Sequence, residues 1–228
     1  MVSFGLQSSA QVDVTGWYET GDGPRIVIPS ARGGYRLAAP DSTQFDWLPP
    51  SDNAAHEWRD GDRRRDASIV FDREQDAVTG YTWTLDGNTG HARRADEQPY
   101  RVQEIEFANG DVTLVGNLIL PEGDGPFPAI VFVHGSGTND RDNAWLFRFA
   151  DFFARRNVAS VLPDKRGGGK SDGDWREVGL EDYAQDALAA IAALRARSDI
   201  SSVGLFGSSQ GGNELKQLFQ KQLSQLMN

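Results

Sequence analysis

The sequence predicts an α/β fold, a parallel sheet with flanking helices, preceded by a small all-β domain. Three observations predict it. "AIVFVHG", "VASVLPD" and "SSVGLFG" are continuous apolar runs, the mark of strands buried on both faces. Between them, "AWLFRFADFFARR" and "LEDYAQDALAAIAALRAR" carry apolar residues at helical spacing. From about Thr15 to Ala95 the chain shows only short β-like runs punctuated by Gly, Asp, Asn and Pro, with no segment of helical period. The expected division is a β module over residues 1–98 and an α/β domain over 99–228.

Within the module, "PRIVIPS", "GGYRLAAP", "DASIVFDR" and "AVTGYTWTLDGNTG" read as strands. Val78, Tyr81, Trp83 and Leu85 partly alternate with polar or small residues, as in a half-buried strand. "LDGN" is a hairpin signal. His56 and His91 fall in polar stretches and are expected in solvated loops. In the second half, "VQEIEF" and "VTLVGNLILP" form a hairpin about a tight turn at Asn109-Gly110. "EGDGPFP" is a loop. The helix starting near Ala144 is capped by Asp142 or Asn143. The long helix that follows places acids early and arginines late, matching the helix dipole.

Composition excludes several classes. The 228 residues hold no cysteine, hence no disulfide, thiol nucleophile or thiolate metal site. A net charge of −10 and a pI near 4.8 argue against nucleic acid or an anionic membrane as partner. No apolar run is long enough to span a bilayer. "MVSFGLQSSAQ" lacks the basic and apolar regions of a complete signal peptide; it reads as the remnant of one or as a plain end. The compartment stays open, with a lean towards export.

Three stretches carry chemistry. In "GSSQG", Gly207 and Gly211 flank Ser209 between a buried strand and a helix. That sharp turn needs small residues beside a nucleophile. "VHGSG" follows another buried strand. A developing oxyanion needs two backbone N–H donors; one is expected from Gln210 and the other from Ser136. His134 and Gly135 are expected to support that loop rather than react. In "PDKRGGGKSDGDW" the Gly-Lys-Ser resembles a phosphate loop, but the required upstream glycine is replaced by Asp164. A glycine-rich turn organised by Asp164 and Arg166 is the better reading. No cofactor is implied, and no His pair or acid cluster has metal-ligand spacing.

In order and spacing, from about Gln103 to Gly212, these stretches resemble the α/β-hydrolase superfamily, bacterial serine esterases and S33-type peptidases in particular. "HGSGTNDRD" looks like the family's oxyanion loop, "DKRGGGKSDG" like the loop after the next parallel strand, and "GSSQGG" like the nucleophile elbow. The N-terminal half is similar to small β domains found beside serine hydrolases. The resemblance implies a partial α/β-hydrolase sheet, a small-molecule ester or amide substrate, and acyl transfer to water through an acyl-enzyme on Ser209.

The family's order is serine, acid, histidine. Residues 210–228 contain one acid, Glu214, and no histidine, so neither the triad acid nor its base finds a match. The tail from 212 to 228 is atypical. Leu215, Leu218, Phe219, Leu223 and Leu226 have helical spacing, but glutamines crowd it and it holds two of the chain's four lysines. The expectation is a chain shortened or replaced after the elbow. Strand 203–206 would then become an apolar edge, inviting homo-oligomerisation through that edge, a borrowed strand, or low stability. Two functional readings follow: a serine hydrolase with weak catalysis, or a non-catalytic pseudo-hydrolase serving as a binding or scaffold protein. A histidine supplied by a second chain is a third.

Overall fold

The strands of the N-terminal half pair in sequence order as an antiparallel meander. The computed structural model describes residues 14–30, 33–40, 46–51, 55–60, 63–213 and 215–216. Glu214 and most of the expected tail helix, residues 217–228, lie outside the described residues. The chain divides into two compact units, one holding most residues up to Asp96 and the other those from Glu97 on. The first contains β1 (Gly16–Thr20), β2 (Gly23–Pro29), β3 (Tyr35–Ala38), β4 (Asp46–Leu48), β5 (Ala55–Asp60), β6 (Arg63–Glu74), β7 (Ala77–Leu85) and β8 (Asn88–Arg94). Each strand pairs with the next, and β1 returns to β8 through Tyr18↔Arg94 and Glu19↔Arg93, closing a barrel. Among the described residues, closure leaves none of the eight strands as a free sheet edge.

An eight-stranded barrel is just wide enough for side chains to fill. Tyr18, Leu48, Ile69, Phe71 and Tyr81 fill this one. The Tyr18 and Tyr81 rings lie 5.0 Å apart, and the Tyr18 hydroxyl donates to the Val14 carbonyl at 2.6 Å. Burial pushes the Tyr81 phenol up to about 12. The imperfect alternation of β7 has a cause: the register shifts opposite Asp72/Arg73, so Thr79 is an extra residue and Val78 and Tyr81 both reach the interior. The "LDGN" turn is Asp86-Gly87, with φ of 49° and 79°, the doubly left-handed form of a two-residue hairpin.

Both histidines of this unit correct the expectation. They stand on strands, not in loops. His56, on β5, is half-buried against the Tyr35 and Phe71 rings, with Nδ1 on the Pro49 carbonyl at 3.0 Å. His91, on β8, meets Thr82 Oγ1 at 3.0 Å. Polar sequence around a residue marks one exposed face of a strand as readily as a loop.

The second unit contains β9 (Tyr100–Asn109), β10 (Val112–Pro121), β11 (Phe127–Val133), α1 (Ala144–Ala154), β12 (Ala159–Pro163), α2 (Leu180–Arg195) and β13 (Ile200–Gly207). Its sheet order is β13-β11-β12-β10-β9. The sheet is mixed, which corrects the expected parallel sheet. Only β11 with β12 and β11 with β13 run parallel. The two-residue loop between β9 and β10 forces antiparallel pairing, and β10 meets β12 antiparallel. The loop is Gly110-Asp111, one residue later than expected, with Gly110 at φ 61°. Asn109 instead closes β9, and its amide donates to Asp186 at 2.7 Å.

Asn143, not Asp142, caps α1: its side chain accepts from the Leu146 amide at 3.1 Å. On α2, Tyr183, Ala187, Ala190 and Leu194 form the buried stripe; Ala190 and Leu194 join Phe107, Leu114, Val131 and Val161 in the core. Among the described residues β13 is an outer strand of the sheet, with Ser201, Ser202 and Gly204 exposed along it.

Candidate active site

Three loops leave the carboxyl ends of β11, β12 and β13, where open α/β sheets place their ligands. β11 lies between the other two, and Val133 faces Gly207 across the parallel register. The loop after β13 is the elbow. Ser209 sits in the left-handed region, φ 56°, and is exposed. A non-glycine residue rarely adopts this conformation and holds it only where its surroundings enforce it. The Ser208 amide donates to Val133 O at 3.3 Å, while the Gly211 and Gly212 amides donate to Ser208 O and Ser209 O at 3.0 Å each.

The flanking glycines are sterically required. A Cβ on Gly207 would stand 2.5 Å from Gly211 O, and one on Gly211 would stand 2.3 Å from Val133 O. Both obstacles are backbone atoms with little room to move. Gly135, in the loop after β11, approaches the serine closely: a Cβ there would lie 3.4 Å from Ser209 Cβ and 3.9 Å from its Oγ. The elbow and the Gly135-Ser136 segment therefore adjoin. Ser136 itself is exposed.

His134 is buried beneath that loop, its Nε2 on the Pro163 carbonyl at 2.6 Å. Its Nδ1 is buried without a hydrogen-bond partner. Burial holds the imidazole below its usual pKa, with the Lys165 charge acting the same way. A neutral ring with Nε2–H donating to Pro163 fits this setting. Neither nitrogen bonds to Ser209.

The loop after β12 is built on Asp164, whose side chain is fully buried. Its Oδ1 accepts from the Arg141 amide at 2.9 Å and Nε at 3.0 Å. Its Oδ2 accepts from Arg141 Nη2 at 2.6 Å and the Lys170 amide at 2.8 Å. Burial alone would raise this carboxyl, but the guanidinium and the two amides outweigh it and hold the pKa below the usual range. Gly169, at φ 51°, lies where a Cβ would strike the Asp164 carboxylate. Arg141 continues to Glu104 at 2.8 Å and Asn117 at 3.2 Å, and Lys170 also reaches Glu104, at 2.6 Å. Arg166 makes two 2.7 Å bonds to Asp186 on α2, tying the turn to the helix.

Sequence reading overlooked Arg141, Lys165 and Asp186. Lys165 is buried and faces the elbow: its Nζ donates to Gly135 O at 3.0 Å and to Gln210 Oε1 at 3.4 Å, and lies 4.3 Å from the Tyr183 ring centre. Its position directly after a buried strand, in a chain that otherwise prefers arginine, was the available signal. Among the described residues no cluster of three or more His, Asp or Glu is placed to hold a metal ion, and no helix is long and apolar enough to cross a membrane.

The family described as "Serine aminopeptidase, S33" matches residues 124–226. Esterase EstD of Thermotoga maritima is 32% identical over 123 residues, covering 50% of this chain and 30% of EstD. The chain thus spans under a third of that relative. Similar solved structures include the α/β hydrolase GrgF from Penicillium sp. sh18, 27% identical with a TM-score of 0.44 over 50% of this chain and 39% of that one. Another is Est1E from Butyrivibrio proteoclasticus, solved with ferulic acid, 22% identical with a TM-score of 0.44 over 48% and 44%. The second unit is thus similar to esterases and S33-type peptidases of the α/β-hydrolase superfamily.

Proposed function

We propose that the second unit carries the nucleophile half of a serine hydrolase acting on carboxylic esters or amides. Ser209 attacks the acyl carbon, and the Ser136 and Gln210 amides receive the developing oxyanion. One observation carries the reading: Ser209 is held at positive φ between two glycines that have no space for a Cβ. Such a turn lifts a serine hydroxyl clear of the sheet for attack. His134, Gly135, Asp164, Arg166, Gly207 and Gly211 support the loops. EstD and the S33 family support acyl transfer as the chemistry.

Among the described residues no histidine or carboxylate hydrogen-bonds to Ser209. The turnover proposed for this chain is therefore slow, the rate of a serine that attacks without a neighbouring base to take its proton. p-Nitrophenyl acetate hydrolysis by the purified chain and by Ser209→Ala tests this. Slow turnover lost in the variant supports it. Equal rates in the two proteins would leave a binding or scaffold role built on a hydrolase fold. We also propose self-association along the outer edge of β13, for which size-exclusion chromatography with light scattering is the test. A strict monomer across the accessible concentration range contradicts it.

A further inference from the structure

We propose that Lys165 is a positioning residue of the oxyanion hole, setting both of its donors from one buried ammonium. The inference rests on the reading of Ser209 as nucleophile and of the Ser136 and Gln210 amides as oxyanion donors. In a planar trans peptide the carbonyl of one residue and the N–H of the next point in opposite directions. Lys165 Nζ holds the Gly135 carbonyl at 3.0 Å, so the Ser136 N–H of that same peptide is turned away from the lysine.

Asn139 acts in the same sense. Its Nδ2 gathers the carbonyls of Ser136 at 3.1 Å, Gly135 at 3.4 Å and Gly137 at 3.5 Å. Gly137 takes φ 84°. A segment whose carbonyls converge on donors presents its N–H groups on the opposite side, the arrangement that forms anion-binding concavities. The lysine also reaches the other donor's residue, through Gln210 Oε1 at 3.4 Å. Two loops from different strands, each giving one amide, are thereby linked at one point.

Three features hold the lysine itself. Its backbone amide donates to Asn139 O at 3.0 Å, joining the loops after β11 and β12. Its ammonium lies over the Tyr183 ring, a favourable seat for a cation removed from water. Tyr183 is fixed in turn by its hydroxyl, which donates to the Trp175 carbonyl. A positive charge on the Gly135 carbonyl polarises that peptide and makes its N–H a stronger donor. Charge and geometry act together, and Lys165 touches no reacting atom.

Lys165→Met keeps the stem on Tyr183 and deletes the charge; Lys165→Arg keeps the charge. Lys165→Gln is the second uncharged variant should the methionine protein not fold. Two readouts are taken on the full chain: the Ser136 and Gln210 amide resonances, and the rate at which a fluorophosphonate modifies Ser209. The expected result is moved amide resonances and a rate lowered about 10- to 100-fold in the uncharged variant, on the scale of a misplaced oxyanion donor. Arginine is expected to restore most of the rate. An uncharged variant that matches the unsubstituted protein in both readouts overturns the proposal. So does an arginine variant as impaired as the uncharged one, which would indicate packing alone. Should the unsubstituted protein resist the phosphonate, the nucleophile reading fails. The Ser136 resonance then decides the lysine's role by itself: moved in the uncharged variant and retained with arginine supports it, and unmoved overturns it.

Discussion

Replacing Asp164 by asparagine tests how the loop after β12 is held. The carboxylate is fully buried and receives four N–H donors, of which Arg141 Nε is shared between its two oxygens. The amide has one acceptor oxygen. Whichever way it is turned, its NH₂ faces either the Arg141 amide and Nε or the Lys170 amide and Arg141 Nη2. Donor opposes donor, and the Arg141 guanidinium, only 12% exposed at its side chain, loses its buried counter-charge. Breaking a buried pair by removing one partner costs about 3–5 kcal/mol. Because two units need not unfold together, hydrogen exchange of the β12 amides is the assay, since it reports the opening of this unit alone. Exchange at pH 7 should quicken by about two to three and a half orders of magnitude, at about 1.4 kcal/mol per tenfold. The pH dependence has a definite sign. The folded-state pKa of Asp164 is depressed, so its stabilisation is present above the unfolded carboxyl value, about 3.9, and is lost as pH falls through the folded one. The gap between the two proteins should therefore narrow towards acid. An Asp164→Asn variant within about 1 kcal/mol of the parent at pH 7, the level of an ordinary surface pair, would refute the reasoning.

Gly211→Ala places a methyl 2.3 Å from Val133 O, so the elbow must shift by roughly an ångström, a displacement that can cost about 10²-fold in reactivity. Reaction of Ser209 with a fluorophosphonate should fall by about that factor, and an unchanged rate would contradict the crowding. Asn143→Ala should destabilise the second unit by about 1 kcal/mol through loss of the α1 cap, read by exchange of the Leu146 amide. In the barrel, the Tyr81 phenol pushed up to about 12 predicts stability that holds below the unfolded tyrosine value, about 10, and declines as pH rises above it. Tyr81→Phe should remove that share of the alkaline loss, as followed by circular dichroism.

How much of this was legible follows from which interactions are local. β11, β12 and β13 announce themselves because strands covered on both faces need continuous apolar sequence. Asp86-Gly87 is legible because only such residues tolerate two left-handed positions in a row. The barrel is a different matter. Its closure rests on Tyr18 and Glu19 meeting Arg94 and Arg93, and alternation reveals which face a residue takes but not which distant strand it pairs with. His56 shows the same limit, since the Tyr35 and Phe71 rings that cover it come from other strands. Around the candidate site, the glycines and Ser209 are written in a local motif. The charges that brace it are not. Arg141 and Asp164 are 23 residues apart, and Lys165 and Gln210 are 45 apart. Their pairing exists only once the sheet has brought three loop ends together.

The most direct test of the account is modification of the purified chain by a fluorophosphonate, read by intact mass beside Ser209→Ala. A Ser209 presented for attack gives a single adduct on the parent protein, formed slowly and absent from the variant. No adduct on the parent, or an equal adduct on both, would contradict the claim that Ser209 is a nucleophile presented for acyl transfer.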